Sequence, residues 1–108
     1  MDKCVFCKIV KGEIPTQVIY QDKMLMVFPD LHPKAPLHLL VIPKAHVSDF
    51  SQANDELILA LRKKIIDLVD ENSLMTKGYR VIVNGGMAMA IPHLHFHLLG
   101  GVGIEREV

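Results

Sequence analysis

The chain has 108 residues, half of them hydrophobic, with twelve basic and twelve acidic side chains that cancel. That length suits one small domain around a single core, and the apolar content excludes a disordered chain. Balanced charge gives no electrostatic footprint for nucleic acid or an anionic membrane. No apolar run approaches the ~18 residues of a membrane span, and Met1-Asp2-Lys3-Cys4 is not a secretory signal. One domain over residues 1–108, in the cytoplasm, with no nucleic-acid or membrane partner, is therefore expected.

Residues 4–11 read as a short helix carrying Val5, Phe6, Ile9 and Val10, stopped by Gly12 and the Ile14-Pro15 step. Both cysteines fall there, in Cys4-Val5-Phe6-Cys7. In a reducing compartment such a pair points to metal ligation or redox chemistry more than to a disulfide. Residues 17–21 read as a strand, and Gln21-Asp22-Lys23 as the turn into a second strand over 24–28. The next eight residues, Pro29-Asp30-Leu31-His32-Pro33-Lys34-Ala35-Pro36, form a loop, because three prolines remove ladder donors. The almost continuously apolar stretch Leu37-His38-Leu39-Leu40-Val41-Ile42 predicts a central strand ended by Pro43.

One long helix is predicted over 51–75, with Asn54 or Asp55 as cap and Glu56 near its positive end. Leu57, Leu61, Ile65, Leu68 and Val69 recur at helical spacing on its buried face. Lys77-Gly78 then turns the chain into a strand over 79–83, and Asn84-Gly85-Gly86 opens a loop. The order strand, strand, strand, helix, strand, strand predicts an α+β domain. Its mostly antiparallel five-stranded sheet carries one long helix across a face and a short N-terminal helix.

The last predicted strand spans 92–101, where His93, His95 and His97 alternate with Leu94, Phe96 and Leu98. A period of two sends the imidazoles to one face and the apolar side chains to the other. Half of the six histidines thus share one strip of about 13 Å. Imidazoles are costly to bury unpaired, so core packing does not explain the row. Chemistry on a substrate and metal binding do.

Read together, these segments resemble the histidine triad (HIT) superfamily, in its Hint-like branch of nucleotide-binding proteins. The resemblance is carried by His93-Leu94-His95-Phe96-His97-Leu98-Leu99-Gly100-Gly101, which fits that family's His-x-His-x-His pattern. Four further blocks follow its order: Cys4-Val5-Phe6-Cys7-Lys8-Ile9, the loop over 28–36, Leu39-Leu40-Val41-Ile42-Pro43-Lys44-Ala45-His46, and Lys77-Gly78-Tyr79-Arg80-Val81-Ile82-Val83-Asn84. It implies hydrolysis or transfer at the α-phosphate of a purine nucleoside phosphoramidate or related nucleoside monophosphate ester. His95 would be the nucleophile, forming a nucleotidyl-histidine that water resolves. His97 would aid charge and proton transfer, and His46 would buttress the site. From the residues alone, same-face geometry offers three imidazoles and does not choose among them. Asp30 suits ribose hydroxyls as a double acceptor, and Phe6, Ile9, Phe28 and Leu31 suit the walls of a base pocket or simply the core. Asn84 is carried over as a further substrate contact.

The same resemblance implies a structural zinc on Cys4, Cys7, His46 and His93, a donor set that suits a closed tetrahedral site. It also implies a homodimer with sheets joined side by side. The chain departs from the family's pattern in the loop over 84–92. Met89 and Ala90 stand where relatives of this type carry a polar Gln and Ser or Thr, and the loop is about two residues short. Losing one such donor can cost on the order of 3 kcal/mol at the transition state. Three readings follow: a slow phosphoramidase or nucleotidyl hydrolase, a nucleotide-binding regulatory module with lost catalysis, or a metalloenzyme with zinc on His93, His95 and His97.

Overall fold

The computed structural model describes residues 3–106. Five strands form one sheet in the order β1-β2-β3-β5-β4, and each adjacent pair is antiparallel. They are β1 (Tyr20–Gln21), β2 (Leu25–Pro29), β3 (Leu37–Pro43), β4 (Tyr79–Val83) and β5 (Phe96–Gly100). Three helices accompany them: α1 (Val5–Val10), the long α2 (Asp55–Glu71) and α3 (Leu74–Lys77). The α+β class, the strand count and the single long helix follow the sequence-based expectation.

The two innermost apolar strands explain why alternation is absent from them. On one face of the sheet Leu25, Val27, Leu39 and Val41 pack with Leu57, Leu61, Ile65 and Leu68 of α2. On the other, Met26, Phe28, Leu40 and Ile42 pack with Cys4, Phe6 and Cys7. Both faces of β2 and β3 are covered, so consecutive residues are apolar. β5 sits between β3 and β4 although it comes last in the chain. That insertion carries the histidines to the middle of the sheet, on the α1 side.

The structure redraws the bounds of three elements, the long helix, the first strand and the last. The long helix begins at Asp55, where the Asn54 side chain accepts from the Leu57 amide. Phe50–Gln52 is a separate 3-10 turn capped by Asp49. The helix stops at Asn72, Ser73 takes a left-handed φ of 55°, and α3 follows. The first strand is only Tyr20–Gln21 rather than starting at residue 17, because it lies at the sheet edge with a single neighbour. Ile19 N–H still donates to Val27 O at 2.8 Å, while the side chains of Val18 and Ile19 are exposed. The histidine strand is also shorter than residues 92–101. The ladder starts at Phe96, opposite Val41 on β3 and Val83 on β4. Before it, Leu94 N–H donates to Val47 O at 2.7 Å, and the His93 ring takes the carbonyl of Pro43. The alternation nonetheless persists: Leu94 and Leu98 join the α2 core, while His93 and His95 pack against Phe6 of α1.

Gly78 turns the chain from α3 into β4 at φ 84°, and a Cβ there would lie 2.0 Å from the Val102 carbonyl oxygen. Only glycine permits both the turn and this close return of the C-terminal segment. Among the described residues no helix is long and apolar enough to cross a membrane.

The packing sets a scale for stability. Leu61, 1 % exposed, is expected to cost about 2–5 kcal/mol when replaced by Ala. Asn54→Ala, which removes only the cap, should cost about 1 kcal/mol. Urea unfolding of the two variants checks the order.

Candidate active site and metal centre

Two polar clusters lie on the α1 face of the sheet, joined through the segment 93–97. In the first, Cys4 is the cap of α1 and its Sγ accepts from the Cys7 amide at 3.4 Å. The i, i+3 spacing places both thiols on one side of the helix start. Cys7 Sγ lies 3.2 Å from His46 Nδ1, Cys4 Sγ 3.4 Å from His93 Nδ1, and Cys7 Sγ 3.6 Å from His93 Nδ1. All four donor atoms fall within 4.8 Å of one another. A tetrahedron built on metal–sulfur bonds of about 2.3 Å and metal–nitrogen bonds of about 2.0 Å has mixed edges near ~3.5 Å. The residues therefore fit a four-coordinate cation. His93 Nε2–H donates to the Pro43 carbonyl at 2.8 Å, which leaves Nδ1 unprotonated toward the thiols. Burial, then the neighbouring Cys4, raises the Cys7 thiol above its ordinary value. A bound cation would reverse that, since coordination deprotonates a thiol.

In the second cluster, His38 of β3 meets His97 of β5. Leu40 is paired with His97, so His38, two residues earlier, is its diagonal neighbour on the same face. The Lys34 backbone N–H donates to His38 Nδ1 at 3.0 Å, so the His38 proton sits on Nε2. That Nε2–H reaches His97 Nδ1 at 2.8 Å, with the Asp30 carboxylate 3.5 Å away. His97 Nδ1 is thereby an acceptor, and its own proton is left on Nε2. His95 has the opposite tautomer. Its Nδ1–H donates to the His93 carbonyl at 2.8 Å, leaving a lone pair on Nε2. The two rings lie 5.0 Å apart, one presenting an acceptor nitrogen and the other an N–H.

Burial, followed by the nearby His95 and His38, pushes His97 down to about 4. Burial likewise lowers His38, although Asp30 opposes it. Asp30 is further held by its Oδ1, which accepts from the His32 amide at 2.8 Å.

A cavity of about 430 Å³ opens beside these rings, with Phe6, Ile9, Phe28, Leu31, Asp30, His95 and His97 in its lining. Phe6 meets Phe28 edge to face at 5.7 Å and His95 at 5.0 Å. A second cavity of about 730 Å³ lies on the other side of His97 and contains Asn84. The structure thus brings Phe6, Ile9, Phe28, Leu31 and Asp30 together around His95 and His97, and sets Asn84 apart from the apolar walls. His46 lies with the thiols and His93, and the imidazole that holds His97 is instead His38. The three triad imidazoles do not converge on one point. His93 belongs to the thiol group, and His97 to Asp30 and His38, while the His95 Nδ1 is taken by the His93 carbonyl. His38 received no role from the sequence. Its signal was a lone polar residue in a doubly buried strand, which must find a partner.

The chain is similar to a set of known proteins along its whole length. The family model described as "Scavenger mRNA decapping enzyme C-term binding" matches residues 3–103. Protein HitA of Neisseria gonorrhoeae is 38 % identical over 104 residues, 93 % of this chain and 97 % of that one. The chain belongs to the histidine triad family. Among solved structures, a HIT family hydrolase from Legionella pneumophila superposes with a TM-score of 0.88 at 38 % identity, covering 94 % of this chain and 96 % of that one. A histidine triad nucleotide-binding protein from Candida albicans gives 0.83 at 30 % identity, covering 98 % of this HIT chain and 84 % of its own.

Two measurements follow from these clusters. Elemental analysis is expected to find about one transition metal per chain, lost in Cys4→Ser together with about 10 °C or more of Tm. Retention of the metal in that variant would move the site to other histidines. The second concerns acid. His97 titrates near 4 in the folded chain against 6.5 for an exposed imidazole, so the unfolded chain takes up the proton first. The stability it contributes is complete above about pH 6.5 and is lost as pH falls toward 4. Unfolding free energies across that window should fall less steeply in His97→Asn than in the wild type.

Proposed function

We propose that this protein is a nucleotide hydrolase that acts at the α-phosphate of a purine nucleoside phosphoramidate or related ester, through a nucleotide bound covalently to His95. The observation that carries this reading is the pair of opposite tautomers on His95 and His97 at the rim of an apolar cavity. A nucleophile needs a lone pair aimed at phosphorus, and the phosphoryl oxygens need a hydrogen-bond donor. His95 Nε2 offers the first and His97 Nε2–H the second. The Legionella relative is a hydrolase and the Candida relative binds nucleotide by name, which supports the same reaction class.

The nucleoside base lies between Phe6, Ile9, Phe28 and Leu31, and Asp30 accepts from the ribose hydroxyls. His95 Nε2 attacks phosphorus and the bond to the leaving nitrogen or oxygen breaks. The departing atom takes its proton from solvent, while the His97 Nε2–H holds a phosphoryl oxygen. Water then attacks phosphorus, gives up a proton to solvent, and the bond to His95 breaks to release nucleoside monophosphate. Backbone amides of the loop over 84–92 and the His97 N–H meet the phosphoryl oxygens.

Zinc is the cation we assign to Cys4, Cys7, His46 and His93. It supplies no step of the reaction. It ties α1, and with it Phe6, to the segment that carries His95. We also assign a second copy of the chain as partner. β4 is an unpaired edge, and Met75, Tyr79, Val81 and Ile66 leave an apolar surface beside it, the arrangement that sheet-edge pairing would cover.

One observation favours a second reading, a nucleotide-binding regulatory protein with little turnover. Ala90 lines the apolar cavity without any side-chain donor, and Met89 precedes it. Incubation with a labelled adenosine phosphoramidate, quenching and peptide mapping distinguish the two. The expected result is an adduct on His95, no turnover in His95→Ala, and a rate about 10²–10³-fold lower in His97→Ala. Nucleotide binding with neither adduct nor turnover would favour the regulatory reading. Activity unchanged in His95→Ala would remove that residue from the mechanism.

A further inference from the structure

The second cavity has a chemistry that the reaction outlined above does not use. Its lining includes Lys34, Arg80 and Arg106, with Asp30 as the one acidic residue among the described lining residues. Across the whole chain the charges cancel, so three cations around one cavity are a local concentration. Among the described residues none of the three has a carboxylate partner within ion-pair distance. Arg80 is held by backbone carbonyls of the C-terminal segment, at Gly103 and Arg106. Its Nε is buried with no hydrogen-bond partner. A buried guanidinium N–H without an acceptor is costly, and an anion would supply one.

The position of this cavity relative to the reacting groups is informative. His95 borders only the apolar cavity, whereas His97 borders both. In-line displacement sets the leaving group opposite the nucleophile. A phosphorus atom attacked by His95 from the apolar side, beside the His97 N–H, therefore expels its leaving group toward Lys34, Arg80 and Arg106.

We propose that the basic cavity receives the leaving group and selects one that carries a negative charge, a carboxylate or a phosphonate-like dianion. This rests on the hydrolase reading and adds the substrate class to it. Charge complementarity here acts mainly on specificity, because the cations are partly solvated and the gain is screened by salt.

Three adenosine phosphoramidates of similar size test it, with glycine, aminomethylphosphonate and glycinamide as leaving amines. For the wild type, kcat/KM for the two anionic compounds should exceed that for glycinamide by about ten-fold at low salt. The preference should shrink as salt is raised. Their relative order tells a carboxylate site from a phosphate site. Arg106→Gln, at the rim of the cavity, and Arg80→Gln should each bring the anionic compounds toward the glycinamide value without slowing glycinamide itself. Thermal melts of both variants check that the fold is intact. Equal turnover of all three compounds by the wild type overturns the inference and leaves the hydrolase reading standing. Turnover of none overturns the hydrolase reading. The inference is then read from calorimetric binding of the same compounds to His95→Ala, where tighter binding of the anions upholds it and equal binding ends it.

Discussion

The site depends on one residue that serves two clusters at once. The His93 ring, with no exposed surface, gives its Nε2 proton to Pro43 and turns Nδ1 toward Cys4 and Cys7. The backbone carbonyl of the same residue accepts the Nδ1 proton of His95. The ring fixes where the segment lies against the N-terminal helix, and the carbonyl fixes which nitrogen of His95 bears the lone pair. Any shift of His93 would move both the donor set and the His95 lone pair. A metal at the thiols is in this sense a clamp on the geometry of His95 rather than a participant.

The opposing hydrogen-bond chain runs from the Lys34 amide through His38 to His97. It begins in the proline-rich loop between β2 and β3. That loop's irregular backbone leaves an amide free to point inward, where a regular strand would spend it on the ladder. Every ring in the chain is neutral when its tautomer is set, and burial lowers His38 and His97 accordingly. Neutral rings can be both donor and acceptor, whereas an imidazolium could only donate and would break the relay. Burial thus preserves the distinction between the acceptor nitrogen of His95 and the donor nitrogen of His97.

Much of the fold could be read from the chain because its signals were local. The doubly buried β3 announced itself by continuous apolar residues, α2 by its spacing and the Asn54 cap, and the triad by alternation. The thiol cluster was reached by resemblance, and its donor atoms converge in space. What escaped reading was set by distance along the chain. The contact between His38 and His97 spans 59 residues and exists only because β5 inserts beside β3. The end of the histidine strand at Phe96 was likewise decided by partners elsewhere, Pro43 and Val47. The basic cavity assembles three cations from a loop, an edge strand and the C-terminal segment, which no window of sequence brings together.

In the proposed reaction, the loop over 84–92 sets how well the phosphoryl oxygens are met. Its short helical turn is held by Asp49, whose Oδ1 accepts from the Gly86 amide at 2.8 Å, so the loop is tied to the turn before α2. Met87 points fully into solvent, and Ala90 offers the cavity only a methyl group. The transition state of the proposed reaction is therefore stabilised by backbone amides and the His97 N–H. A missing side-chain donor raises the barrier by on the order of 3 kcal/mol when nothing replaces it. Cations placed beyond His97 meet, in the proposed reaction, a charge that the leaving group already carries. They favour anionic substrates and leave the barrier for a neutral one unchanged. The polar side chains absent at Met89 and Ala90 and the cations Lys34, Arg80 and Arg106 thus bear on different groups. The first would meet the phosphoryl oxygens of every substrate, the second the substituent of an anionic one.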